Sequence, residues 1–207
     1  MDLAPVADVI RTDGFIEQTQ RSFGSDPAVV ASAACAFAAG LAQGGVGYTL
    51  KHFPGLGDAD QSTDNAPVAV DESSADLRAD GAAYRRCGHG RLAAVMVSSA
   101  SYPHLTGELP AVLSPVVYHR IMPADGINAL TISDAFATPA ITAWSTPARR
   151  AIAAGLDMVL YSEDETDAAV AYNGLLADVQ RGALSGVRVR DAASRVLQLK
   201  RALGLGS

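Results

Sequence analysis

Several common chemistries lack their residues in this chain. Only four of its 207 residues are histidine, and none belongs to an H-E-x-x-H pair or a tight cluster with cysteine. The ligand spacing of a zinc enzyme is therefore missing. Cysteine is scarcer still. Cys35 and Cys87 each fall in a helical stretch without metal-site spacing and read as free, buried thiols. No G-x-S-x-G elbow marks a serine hydrolase. Although 49% of the residues are hydrophobic, no apolar run is long enough to span a bilayer. Met1–Val9 carries an acid where a signal peptide has a basic region, so the chain as given reads as cytoplasmic, while a longer parent could be exported. The net charge is −6, and basic residues cluster only at Arg149-Arg150 and over Arg188–Arg201, the latter reading as a solvated helix face. That excludes nucleic acid as a partner.

What is present is an alternation of short β-rich runs and amphipathic helices. Leu3–Val9, Gly47–Phe53, Leu92–Ser99, Ala129–Ser133 and Met158–Tyr161 are predicted strands. A helix begins at Asp26-Pro27, shows an apolar stripe of Val30, Ala33, Phe37 and Leu41, and stops at Gly44-Gly45. Further helices are predicted over Ser73–Cys87, Ser114–Ile121, Thr166–Arg181 and Val187–Leu203, with Val189, Ala193, Val196, Leu199 and Leu203 as the inner stripe of the last. Strand followed by helix, repeated, implies a parallel sheet covered by helices in one domain, residues 1–207. By periodicity alone five strands suit an open doubly wound sheet, since a closed barrel needs eight.

Parallel α/β folds place their sites at the C-terminal ends of strands. Asp8, Lys51, His52, Ser98, Ser99, Ser133 and Asp134 all fall there. Each but the Lys51-His52 pair has an ordinary structural reading: Asp8 as a loop cap, the serines as partners for backbone groups, Asp134 as a helix N-cap. A lysine closing an apolar strand is costly unless it meets a carboxylate or a polar ligand.

Lys51-His52-Phe53-Pro54-Gly55-Leu56-Gly57 resembles the KHFPG-x-G signature of family 3 glycoside hydrolases, particularly their bacterial β-N-acetylglucosaminidase branch. Four other segments agree in order: Ala4-Pro5-Val6-Ala7-Asp8-Val9, Arg21-Ser22-Phe23-Gly24 before Asp26-Pro27, Ile132-Ser133-Asp134-Ala135, and Ala154 to Leu160. The resemblance implies a TIM-barrel-like (β/α)8 fold, present here as its C-terminal five units. It also implies retaining hydrolysis of a terminal β-linked sugar without a cofactor. Asp134 matches the nucleophile, and Asp8, Arg21, Lys51 and His52 match residues expected to hold sugar hydroxyls. The expected substrate is a β-N-acetylhexosaminide, as in peptidoglycan recycling or chitin fragments. The alternatives are a β-glucosidase-like specificity and a catalytically impaired sugar-binding fragment.

The chain departs from this pattern twice. In the acetylglucosaminidases the loop after KHFPG carries an Asp-Ser-His motif whose histidine is the acid/base. Here Asp58 to Asn65 contains no histidine, and Asp64 falls in its place, with Asp60 and Asp58 in reserve. His89, His104 and His119 lie outside the motif and read as surface or structural residues. The family's first three barrel strands also have no counterpart, which leaves two open sheet edges and an expectation of pairing with another copy.

Overall fold

The apolar, β-branched runs form the strands, and parallel pairing buries them on both faces. The computed structural model describes residues 1–206. Its main sheet contains β1 (Tyr48–Phe53) and β2 (Ala93–Val97), with every residue of β2 buried. A short antiparallel hairpin follows, β3 (Ser101–Tyr102) and β4 (Gly107–Pro110), then β5 (Leu130–Ala135) and β6 (Met158–Leu160). The main sheet is parallel in the order β1-β2-β5-β6, with Leu50 opposite Val95, Val97 opposite Ser133, and Ala135 opposite Leu160.

Leu3–Val9 is not a regular fifth strand. It runs beside β1, with Thr49 N–H donating to the Ala4 carbonyl (2.8 Å) and Ala7 N–H to that of Lys51 (2.6 Å), yet forms one bridge only, Val6 to Lys51. Pro5 has no N–H to continue the ladder. The result is an incomplete α/β barrel, open at the Leu3–Val9 segment and at β6. Among the described residues no helix is long and apolar enough to cross a membrane.

A short turn of helix, α1 (Phe15–Gln18), precedes α2 (Pro27–Gln43). Asp26 caps α2 by accepting from the N–H groups of Ala28 and Val29, and Pro27 needs no donor at the first position. Its inner face differs from the predicted stripe. Val30, Ala31, Ala34 and Ala38 are buried while Phe37 is exposed against Phe23, because small alanines let the helix lie close on its neighbour. The single helix predicted over Ser73–Cys87 is two, α3 (Ser74–Asp80) and α4 (Ala82–Cys87), divided at Gly81. Where a helix was expected over Ser114–Ile121, a 3₁₀ turn (Ala111–Leu113), a π-helical turn (Val117–Ile121) and α5 (Met122–Ala124) follow one another. Pro139 and Pro147 begin α6 (Pro139–Thr142) and α7 (Pro147–Ala154). The chain ends with α8 (Glu165–Gln180) and α9 (Gly186–Ala202).

Two expectations about side chains are corrected. Cys35 and Cys87 are not free: α2 packs along α4, bringing their Cα atoms to 5.7 Å, and they form a disulfide. Nor is the arginine-rich stretch of α9 only a solvated face. Arg188 and Arg195 turn inward to Asp157, at 2.7 and 2.9 Å, while Arg188 also donates to the Ile152, Gly155 and Leu156 carbonyls at the end of α7. Asp157 in turn accepts from both the N–H and the hydroxyl of Thr131. This fastens the last helix to the base of β5.

Arg11, three residues beyond Asp8, braces the region from the other side. Its guanidinium meets Glu72 at 2.6 Å and Asp80 at 2.7 Å. Both carboxylates are buried, and each leaves one oxygen without a partner. One cation cannot neutralise two anions. Burial, reinforced by Asp80, pushes the Glu72 carboxyl from its ordinary 4.5 up to about 7, against the pull of Arg11.

Closing a 52-residue span by the disulfide restricts the unfolded chain by about 4 kcal/mol in loop-closure terms. Reduction, or Cys35→Ser, is expected to lower Tm by roughly 10 °C; a thermal melt with and without reductant checks this. Glu72 supplies a pH prediction. The folded state holds its proton from pH 4.5 to about 7, where the unfolded chain has lost it. Its contribution to stability therefore falls as pH rises through that window. Glu72→Gln, a mimic of the protonated form, is expected to gain in Tm relative to the unmodified chain between pH 5 and pH 8. Parallel Tm curves across that range would refute the assignment.

Candidate active site

Because the strands run parallel, their C-terminal ends converge at one end of the barrel. Asp134 lies inside β5, half-buried, with its side chain 20% exposed. It does not cap the next helix, whose N-cap is Thr138; its Oδ1 accepts from the N–H of Ala135 at 2.9 Å. Ser133 Oγ accepts from Leu160 N–H at 2.8 Å and so ties this strand end to β6.

His52, at the end of β1, is buried with its Nε2 3.9 Å from Asp134 Oδ2. The Lys51–His52 and Phe53–Pro54 peptides are cis. Lys51 is half-buried beside it. Burial and the neighbouring Arg21 cation bring its pKa below the ordinary lysine value, while Asp134 and Asp8 pull the other way. Lys51, Arg21, His52 and Asp134 thus share one electrostatic field. Arg21 itself is exposed. Its turn is held in place by the Ser22 hydroxyl, which donates to the Asp8 carbonyl at 2.5 Å, and by Ile10 N–H donating to Gly24 at 2.9 Å.

Asp8 does not match the expectation of a residue facing open space for a sugar. At 1% exposure it is enclosed by protein. Its Oδ1 accepts from the N–H groups of His52 (3.0 Å) and Leu56 (2.8 Å), and its Oδ2 lies 2.7 Å from His52 Nδ1. Burial acts to raise the Asp8 pKa, but the charge of His52 and these hydrogen bonds together hold it below the usual carboxylate value.

The loop beyond His52 is fixed at its start. A Cβ at Gly57 would lie 1.7 Å from the Val9 carbonyl oxygen, so only glycine permits this approach. The Tyr102 hydroxyl donates to the Gly55 carbonyl at 2.8 Å. Tyr102 was not foreseen: it comes from the two-residue β3, too short to give a periodic signal. Farther along, Asp58, Asp60 and Asp64 are exposed, and Asp64 has only a local tie, its N–H donating to Ser62 Oγ at 3.1 Å. The structure thus brings Lys51, His52, Arg21 and Asp134 together, while Asp64 is exposed and makes no hydrogen bond to Asp134 among the described residues. His89, His104 and His119 are exposed. Ser98 Oγ accepts from Ala100 N–H at 3.0 Å, while Ser99 Oγ is buried without a partner.

The family model described as the glycosyl hydrolase family 3 N terminal domain matches residues 1–199. A protein of Arthroderma benhamiae named as an uncharacterized secreted glycosyl hydrolase is 32% identical over 208 residues, covering 96% of this chain and 59% of that protein. A β-hexosaminidase of Stenotrophomonas maltophilia is 34% identical over 171 residues, 80% of this chain and 50% of the relative. Among solved structures, the family 3 β-N-acetylglucosaminidase of Paenibacillus superposes with a TM-score of 0.88 at 28% identity, over 99% of this chain and 40% of that one. The chain therefore spans little more than half the length of these relatives, or less. With its strand ends, its motifs and residues 1–199 all in agreement, the chain belongs to glycosyl hydrolase family 3, within the N-terminal domain.

Proposed function

We propose that the site is that of a retaining glycosidase acting on terminal β-linked N-acetylhexosamine. The supporting observation is the half-buried Asp134 carboxylate at the end of β5, with His52 Nε2 at 3.9 Å and Lys51 and Arg21 in its field. The names of the Stenotrophomonas and Paenibacillus relatives support the choice of sugar.

In the proposed reaction an Asp134 oxygen attacks the anomeric carbon. The bond from that carbon to the leaving oxygen breaks, and Asp64 supplies the proton that the leaving group takes. Water, deprotonated by Asp64, then attacks the glycosyl-enzyme ester and releases Asp134, so the configuration is retained. Lys51 and Arg21 hold the sugar by donating to its oxygens. Loop 58–65 must bring Asp64 inward for this role. Its exposed position favours one competing reading, a sugar-binding domain with little turnover of its own.

The two open edges support association with another chain. α2 and α8, which follow the edge segments, expose Val29, Phe37, Val170, Tyr172 and Leu176. The Cys35–Cys87 disulfide fits an oxidising compartment, in place of the cytoplasm.

A panel of nitrophenyl glycosides tests the activity and the sugar together. Asp134→Asn is expected to reduce turnover by at least roughly a thousand-fold and to prevent covalent labelling by a 2-fluoro glycoside. Labelling absent from the unmodified chain, with sugar binding retained, would establish the binding-domain reading instead. Asp64→Ala is expected to lower kcat by about a hundred-fold or more on substrates with poor leaving groups. Unchanged turnover eliminates Asp64 as the acid/base.

A further inference from the structure

Parallel strands also begin together, at the end of the barrel opposite Asp134. There a cavity of about 410 Å³ opens between the start of β2, the start of β5 and the second half of α9. The buried side chains of Ala93, Leu130 and Leu199 line it on the inside. Its charged lining is three arginines, Arg91, Arg195 and Arg201, and no carboxylate lines it among the described residues. In a chain of net charge −6, this is a local excess of the opposite sign.

The three guanidinium groups are not equally committed. Arg195 places Nε on Asp157 at 2.9 Å and Nη2 on the Ala129 carbonyl, while its Nη1 reaches only Asn128 Oδ1, at 3.4 Å. Arg201 takes no part in the ion pairs of α9, which belong to Arg188 and Arg195 among the described residues. Both Arg201 and Arg91 are exposed. Cations that border one space repel each other, and a ligand with more than one negative charge relieves this best. A phosphate monoester has that charge near neutral pH, with three acceptor oxygens. Guanidinium forks donate to such oxygens in pairs, and the amides of Asn128 and Gln198 can donate as well. The volume lies in the range of small-molecule sites and exceeds that of a phosphate group alone.

We propose that this cavity is a binding site for a small phosphorylated molecule, whose phosphate is held by Arg91, Arg201 and Nη1 of Arg195. The site is separate from the strand ends that carry Asp134 and does not rest on the glycosidase reading. Arg195 bonds to Asp157, which accepts from Thr131 on β5. A ligand that engages Arg195 therefore tightens the junction between α9 and the sheet, and its binding is read as added stability.

The test is a thermal melt of the full chain at pH 8 with inorganic phosphate or glucose 6-phosphate, each against sodium chloride at matched ionic strength. At about 20 mM either anion is expected to raise Tm by at least roughly 2 °C beyond chloride. Arg91→Gln and Arg201→Gln change exposed positions and are expected to melt like the unmodified chain in chloride. Each is expected to weaken binding about ten-fold, read from the dose dependence of the shift, and the pair to abolish it. A shift no larger than that of chloride in the unmodified chain would overturn the proposal, and that comparison needs no variant. So would a shift that survives in the double variant, since the anion would then be bound elsewhere, such as beside Arg21 and Lys51. Stabilisation by inorganic phosphate but not by glucose 6-phosphate would overturn the assignment to a phosphorylated molecule.

Discussion

The buried carboxylate of Asp8 is the constraint on which the site depends. Enclosing a charged oxygen pair is expensive unless every lone pair finds a donor. Here two backbone N–H groups and an imidazole satisfy it. The donors come from the end of β1 and the start of the following loop, while the acid comes from the segment beside β1. One ion thus joins three pieces of backbone that local propensity alone would leave independent. Charge-assisted bonds of this kind are stronger and shorter than neutral ones. Removing a partner would leave the full desolvation cost behind. The fit of Gly57 against Val9 and the bond from Ser22 to the Asp8 carbonyl both assume that this junction is made.

The same rule operates elsewhere in the molecule with different balances of charge. At the base of β5, Asp157 meets two arginines and two Thr131 donors, so the acid is fully matched and α9 is fastened to the sheet. Beside the site, Glu72 and Asp80 share one arginine; burial, reinforced by the neighbouring Asp80, raises the Glu72 pKa beyond what that arginine offsets. Asp8 lies between these cases: a histidine ring and two neutral backbone amides are its partners. The second arrangement responds to pH, and the third commits one ring nitrogen of His52 to Asp8.

Much of this was legible in the sequence. Alternating strand and helix patterns gave the parallel sheet, and strand ends gave Lys51, His52 and Asp134 before any contact was known. The losses have physical causes. In α2 alanine is so frequent that several faces look equally apolar, and the packed face is chosen by close approach, leaving Phe37 outside. The disulfide joins residues 52 apart through helix packing, which spacing does not encode. Pro5 breaks the ladder that the apolar run Leu3–Val9 promised. Asp8 was found, but its position at a strand end could not distinguish a group facing a ligand from one facing its neighbours.

The division of the site between fixed and exposed parts follows from what each would have to do. Asp134, Lys51 and His52 stand on strand ends, and the following loop is pinned at Gly55, Gly57 and Ala59. Its return is pinned where Val68 and Val70 bond to Ser101. Between those anchors the carboxylates of Asp60 and Asp64 face solvent. A nucleophile must be held to within a fraction of an ångström of the anomeric carbon, which favours a strand. An acid/base in a two-step displacement must protonate a leaving group in one half of the cycle and deprotonate water in the other. In the proposed reaction a carboxyl on a segment anchored at both ends would meet both demands by moving between the departing group and water, while the strand ends would keep the sugar in place.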